Sequence, residues 1–239
     1  FKCKFILRIS GHPKLNFLRK LLWKSSEKNL LKVFVPTIET KEKLINQKIF
    51  SNDKLLVLRD PIIDINEINK KIKKFDKSKR KNNTLISIGR LTKQKNHNFL
   101  IESFSQILKE KKDLKLKILG KGELKKDLEN LISERGLNDS VELVGHVENI
   151  YEYLKDSLCF VLTSKWEDPG FVIIESAAAK TPILSSDCES GPKEFIETNE
   201  NCGYLYKEGN KDSFIKKFND MFNDNLNNPE LVKKKKLYA

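Results

Sequence analysis

The feature that most constrains this chain is a regular alternation of apolar runs and amphipathic stretches from residue 85 onward. The apolar runs have the length of strands, and the stretches between them have the length of helices. Strands that alternate with helices pair in parallel, because each helix returns the chain to the end of the sheet where the next strand starts. We therefore predict an α/β fold with a doubly wound parallel sheet, which binds ligands at the carboxyl ends of its strands.

This part of the chain contains six predicted strands and five predicted helices. The strands are residues 85–88, 114–119, 141–144, 158–162, 183–185 and 203–206. The helices cover about residues 98–110, 123–135, 150–155, 171–179 and 213–223. Three more strands precede them, at residues 4–9, 32–35 and 55–58. Three strands form a thin sheet, so we interpret them as the end of a preceding domain.

The composition restricts the class of protein. The chain has 239 residues and a net charge of +13, and no apolar run approaches the roughly 20 residues of a membrane-spanning helix. Its four cysteines are widely spaced, which fits neither a zinc site nor a disulfide framework and indicates reduced thiols in a cytosol. The positive charge suits a phosphate-bearing substrate, an anionic membrane or nucleic acid, but also a lysine-rich solvated surface. Because the lysines form no stripe with interleaved aromatic residues, we expect no nucleic-acid partner.

The first candidate site follows the strand at residues 85–88. Gly89 permits a tight turn, Arg90 offers a planar fork of donors, and Lys95 adds a point charge. A helix is predicted to begin just after Lys95, and its start exposes unpaired backbone N–H groups. This combination suits a diphosphate, although a surface turn with two solvated cations would have the same composition.

The second candidate site follows the strand at residues 158–162. Glu167 lies in the loop at the strand end, and Glu175 lies eight residues later, about one turn into a helix that begins near Gly170. Two carboxylates placed in this way can face one cleft and accept hydroxyl donors such as those of sugars. Gly170 would let a ligand approach the start of the helix closely. Glu167 could instead only brace its own loop.

These residues resemble a known family. The segment Trp166 to Glu175 is similar to the E-x7-E signature of retaining glycosyltransferases of family 4, and Gly89-Arg90 followed by Lys95 is similar to their donor-phosphate motif. Residues 118–123, 144–147 and 182–194 resemble further segments of that family in the same order. The resemblance covers about residues 84–206 and implies a GT-B fold, in which two Rossmann-like domains face each other.

The resemblance also implies roles for the matching residues. Arg90 and Lys95 would hold the donor diphosphate and stabilise the charge that develops on the leaving group, and Glu167 would contact the transferred sugar. Glu175 would bind the ribose hydroxyls. Further donor contacts would come from Gly89, Val147, Gly170, Phe171 and Val172. No metal or other cofactor is expected, because two basic side chains and a helix terminus would replace a divalent cation.

On the acceptor side the sequence departs from the family pattern. Ser10 occupies the position where the family often has a histidine, and His12 follows two residues later, so we interpret His12 either as a cleft residue or as an ordinary loop residue. Four parts are predicted: the end of an acceptor-side domain (1–75), a linker (76–83), the donor domain (84–224) and a tail (225–239). The lysine-rich stretch at 70–83 is nearly free of apolar residues, which favours the linker.

The predicted function is hexosyl transfer from a nucleoside-diphosphate sugar to a glycan or lipid-linked acceptor, with retention of configuration, in surface polysaccharide synthesis. Three alternatives stay open: a non-catalytic nucleotide-binding domain, a basic nucleic-acid-binding module, and a hydrolase that uses Glu167 and Glu175. We expect a cytoplasmic location, with peripheral attachment to the inner face of the membrane as a hypothesis based on charge. The chain starts at Phe1 and reads as a fragment, which we expect to bind donor but to transfer sugar inefficiently.

Overall fold

A computed structural model of the chain describes residues 3–11, 13, 15–59, 64–73, 83–167, 169–198 and 203–227. Within these residues the strands are β1 (Phe5–Arg8), β2 (Leu30–Val35), β3 (Leu55–Val57), β4 (Thr84–Ile88), β5 (Lys115–Leu119), β6 (Val141–Gly145), β7 (Cys159–Leu162), β8 (Ile183–Ser186) and β9 (Gly203–Tyr206). The helices are α1 (Phe17–Ser26), α2 (Ile38–Asn46), α3 (Ile65–Lys73), α4 (His97–Glu110), α5 (Lys125–Glu134), α6 (Tyr151–Lys155), α7 (Phe171–Ala178), α8 (Pro192–Thr198) and α9 (Lys211–Asn227). A 3-10 turn at Glu27–Asn29 joins α1 to β2.

The larger sheet has the strand order β6-β5-β4-β7-β8-β9, and every pairing in it is parallel. The chain moves outward from β4 to β6 and then returns to place β7 on the other side of β4. The strand order therefore reverses between β4 and β7, which is the point where doubly wound sheets open a crevice for ligands. The predicted doubly wound sheet is confirmed.

Both faces of the larger sheet are covered, because its central strands carry apolar side chains toward either face. Leu85 and Val161 point to one face, where α4, α5 and α9 pack. Ile86 and Phe160 point to the other face, where α3, α6 and α7 pack. Each of these side chains stabilises the fold by about 1.5–3 kcal/mol through removal of apolar surface from water. This burial fixes the ends of β4 and β7 beside each other.

The smaller sheet has the order β1-β2-β3, also parallel. Its core is formed by Val33 and Val35 of β2, Leu55 of β3 and Leu44 of α2. We call β1–β3 with α1 and α2 the smaller unit, and β4–β9 with their helices the larger unit. The smaller unit leaves apolar side chains exposed on β1 and on α1, whereas the larger unit buries its central strands β4, β7 and β8 almost completely.

Helix α3 extends into the stretch at residues 70–83 that was interpreted as linker. Ile68 is buried against the larger sheet, Ile72 packs beside it, and the Lys155 ammonium donates a hydrogen bond of 3.0 Å to the Ile72 carbonyl. Two isoleucines four residues apart lie on one helix face, so they anchor this helix to the larger unit despite its many lysines. The predicted linker at residues 76–83 lies outside the described residues, apart from Asn83.

The six predicted strands of the larger sheet match the observed strands to within one residue at either end. The last helix is longer than the predicted 213–223, because Asn210 starts it two residues earlier by accepting a hydrogen bond of 2.8 Å from the Ser213 N–H. The helix runs to Asn227 and so includes the start of the predicted tail, while residues 228–239 lie outside the described residues. Helices α1, α2, α3 and α8 were not predicted.

Candidate functional site at the switch point of the larger sheet

The two predicted motifs lie side by side at the carboxyl ends of β4 and β7. The loop after β4 and the loop after β7 are joined by three hydrogen bonds. The Lys165 N–H donates to the Gln94 carbonyl (2.9 Å), the Gln94 amide donates to the Trp166 carbonyl (2.8 Å), and the Thr163 hydroxyl donates to the Lys95 carbonyl (2.9 Å). The structure therefore brings the first candidate site and the second into one crevice.

Lys95 and Glu167 are in direct contact at the centre of this crevice. The Lys95 ammonium donates to Oε1 of Glu167, and the Ser164 hydroxyl donates to the same oxygen. The side chains of Lys95 and Glu167 are only 12% and 7% exposed, so their charges are poorly screened by solvent. The Glu167 N–H also donates to the Glu189 carbonyl at 3.0 Å. Glu167 thus braces its loop and lies in the site at the same time.

Gly89 makes room for the Lys95 side chain, a role that the sequence did not predict. A Cβ atom at Gly89 would lie 2.9 Å from Cε and 3.1 Å from Cδ of Lys95, so the missing side chain leaves room for the lysine to cross the turn. Gly120 at the end of β5 supports the same turn, because a Cβ atom there would lie 1.9 Å from the Gly89 carbonyl oxygen. Arg90 follows Gly89 and is exposed at the mouth of the crevice.

Helix α7 begins at the edge of the crevice, beside Glu167. Its N-cap residue is Gly170, whose left-handed backbone (φ 81°, ψ 60°) favours glycine and which has no side chain to cap the helix start. The first backbone N–H groups and the positive end of the helix dipole are therefore available to an anion. Phe171 is 40% exposed, and Val172 is partly buried against the sheet.

Glu175 is half-buried one turn into α7, close to helices α3 and α6. Burial raises the pKa of its carboxyl above the usual value, and the charge of Lys71 on α3 opposes this shift. The pKa of Tyr151 on α6 is raised to about 12 by burial and by the negative charge of Glu175. Burial makes the ionised form of this carboxyl unfavourable in the free protein. Such a carboxyl is typical of a site where a ligand supplies the missing hydrogen bonds.

Two of the remaining predicted residues, Val147 and Ser10, lie among the described residues. Val147 follows β6, two strands away from β4, and packs against the core on the α6 side. Ser10 is exposed after the end of β1 in the smaller unit. His12 lies outside the described residues.

Sequence reasoning missed three residues that support the site. Ser164 binds the carboxylate of Glu167, Gln94 joins the two loops, and Glu189 accepts the Glu167 N–H through its carbonyl. A serine three residues before a glutamate in a strand-end loop was a signal for Ser164, because short hydroxyl side chains commonly bind nearby polar groups. The role of Glu189 uses its backbone and leaves no signal in the sequence.

No group of three His, Cys, Asp or Glu side chains that could hold a metal ion occurs in the part of the chain that the structure describes. In the same residues, no helix combines the length and the apolar composition required to cross a bilayer. Cys3, Cys159 and Cys188 are free thiols, and Cys202 lies outside the described residues.

Comparison with known proteins places residues 68–237 in the family described as Glycosyl transferases group 1. The chain is 43% identical over 111 residues to an uncharacterised glycosyltransferase of Methanocaldococcus jannaschii, covering 46% of this chain and 27% of that protein. It is 36% identical over 144 residues to the N-acetylgalactosamine-N,N'-diacetylbacillosaminyl-diphospho-undecaprenol 4-alpha-N-acetylgalactosaminyltransferase of Campylobacter jejuni. This match covers 60% of this chain and 38% of that protein. The chain thus spans less than half the length of either relative.

Among solved structures, HepE of Anabaena in complex with UDP superposes with a TM-score of 0.81. The sequence identity is 17%, and the match covers 98% of this chain and 66% of HepE. At this identity the likeness concerns the fold, and it includes both the smaller and the larger unit.

Proposed function

Because the chain belongs to the family Glycosyl transferases group 1 and has the GT-B fold, we propose that it carries the donor site of a glycosyltransferase. The enzyme transfers a hexose-type sugar from a nucleoside-diphosphate sugar to a glycan or lipid-linked acceptor, with retention at the anomeric carbon. Its setting is the synthesis of surface polysaccharide, on the cytoplasmic face of the membrane. The observation that carries the proposal is the contact of Lys95 with Glu167 at the switch point between β4 and β7.

In the proposed mechanism, the diphosphate of the donor lies between Lys95, Arg90 and the start of α7. Cleavage of the bond from the sugar to the diphosphate leaves negative charge on the phosphate oxygen, and these positive groups stabilise it. The groups are already held in place, so little reorganisation is required in the transition state. A metal ion is not part of the proposal, because the two cationic side chains and the helix dipole supply the positive charge.

Glu167 and Glu175 act on hydroxyl groups in this proposal. When phosphate oxygens take over the hydrogen bonds of Lys95, Oε1 of Glu167 becomes available to accept a hydroxyl of the transferred sugar. Glu175 accepts the ribose hydroxyls, which replace the water that its half-buried carboxylate has partly lost. Gly89, Gly170, Phe171 and Val172 line the donor, and Val147 lies beside the nucleobase.

The compared proteins support both substrates. The solved HepE complex contains UDP, and the name of the Campylobacter jejuni enzyme describes a diphospho-undecaprenol acceptor. An acceptor attached to undecaprenol stays in a bilayer, so an enzyme that uses one works at a membrane surface. The proposed acceptor class therefore agrees with the proposed peripheral location.

Helix α1 supports this membrane contact. Phe17, Leu18, Leu21 and Leu22 share one side of the helix and are 83%, 63%, 56% and 57% exposed. The helix also carries three basic residues, Arg19, Lys20 and Lys24. An apolar helix face flanked by lysines is suited to the boundary of an anionic leaflet, where each basic residue contributes about 1 kcal/mol.

Flotation with vesicles tests the membrane contact. We expect the chain to float with vesicles that contain anionic lipid at low salt, and to float less as salt increases. The double variant Leu21→Asp/Leu22→Asp should remain in solution, whereas Leu56→Asp, at an exposed strand position of the same unit, should float like the unchanged protein. A chain that never floats contradicts the membrane contact but not the donor site.

Calorimetric titration with UDP, GDP, ADP and CMP tests the donor site. We expect one nucleoside diphosphate to bind, and Lys95→Met and Glu175→Gln to weaken it on the order of tenfold or more, since each removes a charged hydrogen-bonding partner. Lys93→Met, which removes an exposed lysine two residues away, should bind like the unchanged protein. If a folded chain binds none of the four, the donor-site assignment is wrong. Binding without sugar transfer by the full-length enzyme would indicate a non-catalytic domain.

A further inference from the structure

The smaller and larger units meet where residues 189–194 contact the first turns of α2. Glu194 of α8 accepts hydrogen bonds from the backbone N–H groups of Ile38 (2.8 Å) and Glu39 (3.5 Å). Its other carboxylate oxygen accepts a hydrogen bond of 3.0 Å from Arg59. A carboxylate at the start of a helix is stabilised by the unpaired N–H groups and by the helix dipole. The larger unit thus caps a helix of the smaller unit.

The contact is reciprocal. The Glu39 carboxylate accepts a hydrogen bond of 2.6 Å from the Ser190 N–H, so the smaller unit also binds the backbone of the larger unit. The Lys43 ammonium lies 2.9 Å from the Glu189 carboxylate, and the hydroxyl oxygens of Thr40 and Ser190 are 3.4 Å apart. We call residues 189–194 together with residues 38–43 the clasp.

The clasp is attached directly to the loop that carries Glu167. The Glu189 carbonyl accepts the Glu167 N–H, and Trp166 pairs with Glu189 as an isolated β-bridge. Gly191 has a φ of 114° and lies so close to the loop that a Cβ atom would be 2.2 Å from the Pro169 carbonyl oxygen. A displacement of residues 189–191 therefore has to move the loop around Glu167 as well.

We propose that the clasp sets the position of the smaller unit relative to the larger unit and transmits that position to Glu167, with Glu194 and Glu39 as its positioning residues. The clasp consists of hydrogen bonds and ion pairs, and polar contacts between domains break more easily than an apolar interface. These contacts can break when the two units separate, and they form again only in the same relative position of the units. The clasp therefore defines one closed arrangement. This geometry stands without the proposed function, and only its consequence for donor binding rests on that function.

A disulfide tests whether the clasp is closed. Thr40→Cys and Ser190→Cys replace two hydroxyls that are already in contact, in a chain where Cys3→Ser and Cys202→Ser remove two other thiols and Cys159 and Cys188 stay buried. We expect the pair to cross-link rapidly under mild oxidation. Adding Glu194→Ala should slow cross-linking on the order of tenfold, because the bonds from Glu194 to the start of α2 and to Arg59 are lost. Glu197→Ala, at an exposed position of the same helix, should have no effect.

Fluorescence of Trp166 tests the transmission to the site without any ligand. The chain has two tryptophans, so Trp23→Phe leaves Trp166 as the only indole. We expect Glu194→Ala to increase the quenching of Trp166 by acrylamide about twofold or more, and the disulfide between positions 40 and 190 to reverse that increase. Glu194→Gln should give an intermediate value, because an amide keeps one oxygen for the Ile38 N–H but loses the charge that faces Arg59.

The outcomes separate the clasp from the donor site. If the cross-linking rate is the same with and without Glu194→Ala, the proposed role of the clasp is wrong. This conclusion does not depend on the result of nucleotide titration. A slower rate with unchanged Trp166 quenching overturns the transmission to Glu167. If both effects occur and none of UDP, GDP, ADP and CMP binds, the clasp stands and the proposed function fails. If one of them binds, we expect the cross-link to restore the affinity for that nucleotide, which Glu194→Ala lowers.

Discussion

The ammonium group of Lys95 is hydrogen-bonded to Oε1 of Glu167, and both side chains are almost enclosed by the loops after β4 and β7. The two residues that we propose to act on the donor therefore neutralise each other in the free protein. A phosphate group can replace the carboxylate as the partner of Lys95, and a sugar hydroxyl can then bind to the carboxylate. Donor binding is in this sense an exchange of partners rather than the filling of an empty site.

The first prediction concerns the energy of this pair. Lys95→Met should lower the free energy of unfolding by about 3–5 kcal/mol, because it leaves the buried Glu167 carboxylate without its cation. Glu167→Gln should also lower the free energy of unfolding, because it leaves the Lys95 ammonium without its anion. The double variant should lose clearly less unfolding free energy than the two single variants lose together. Urea unfolding of the four proteins measures this coupling, with Lys93→Met as the exposed control. Additive losses would show that the pair is not coupled.

The second prediction compares Gly89 and Gly120, the two glycines of the donor turn, by their effects on nucleotide binding and on the stability of the fold. Gly89→Ala should weaken nucleotide binding on the order of tenfold, because its Cβ atom would displace the Lys95 side chain, which lies 2.9 Å away. Gly89→Ala should also lower the free energy of unfolding, because the displaced lysine no longer pairs fully with the buried Glu167 carboxylate. Gly120→Ala should destabilise the fold more, because its Cβ atom would meet the backbone carbonyl of Gly89 at 1.9 Å rather than a flexible side chain. Titration with UDP and urea unfolding of both variants measure the two effects, and equal destabilisation would contradict them.

The third prediction uses the raised pKa of Glu175. A carboxyl whose pKa is higher in the folded than in the unfolded chain lowers stability once pH exceeds its unfolded value, which is about 4.3. Glu175→Gln should therefore raise the thermal unfolding midpoint at pH 7, and the gain should shrink as pH falls through the raised pKa of the folded state and disappear below about 4.3. The same variant should bind nucleotide more weakly.

Thermal unfolding across pH measures the difference between Glu175→Gln and the unchanged protein. Glu110→Gln, at an exposed position of α4, should show no gain at any pH. A variant that is both less stable and unable to bind at pH 7 would indicate a structural role for Glu175.

Much of the site was predictable from the sequence because strand ends carry it. The apolar runs before Gly89 and Thr163 are long and clear, so Lys95 and Glu167 were both predicted to follow strand ends. That these two strands, β4 and β7, are neighbours in the sheet was not predicted. The direct contact between Lys95 and Glu167 was not predictable, because a side-chain pair 72 residues apart in sequence has no local pattern.

The parts that the sequence did not predict depend on contacts between distant segments. The clasp joins residues about 150 apart, and its bonds use backbone N–H groups of Ile38 and Ser190, which any residue could supply. Helix α3 was not predicted, and its last residues were included in the lysine-rich stretch at 70–83, because only two isoleucines, Ile68 and Ile72, indicate its buried face. Both features depend on packing against a segment that is distant in sequence. The local sequence pattern does not show which distant segment that is.

The last prediction concerns His97, the first residue of α4, which is 2% exposed and whose Nδ1 has no hydrogen-bond partner among the described residues. Burial, and then the positive charge of Lys95, lower the pKa of its imidazole to about 4. A histidine with a lowered pKa binds fewer protons in the folded chain, so stability is lost as pH falls from about 6.5 through 4. A glutamine at position 97 cannot take up this proton. The difference in unfolding free energy between the unchanged protein and His97→Gln should therefore decrease by about 3 kcal/mol over that range. Urea unfolding of both proteins at several pH values measures this difference. A difference that stays constant with pH would show that His97 does not change its protonation on unfolding.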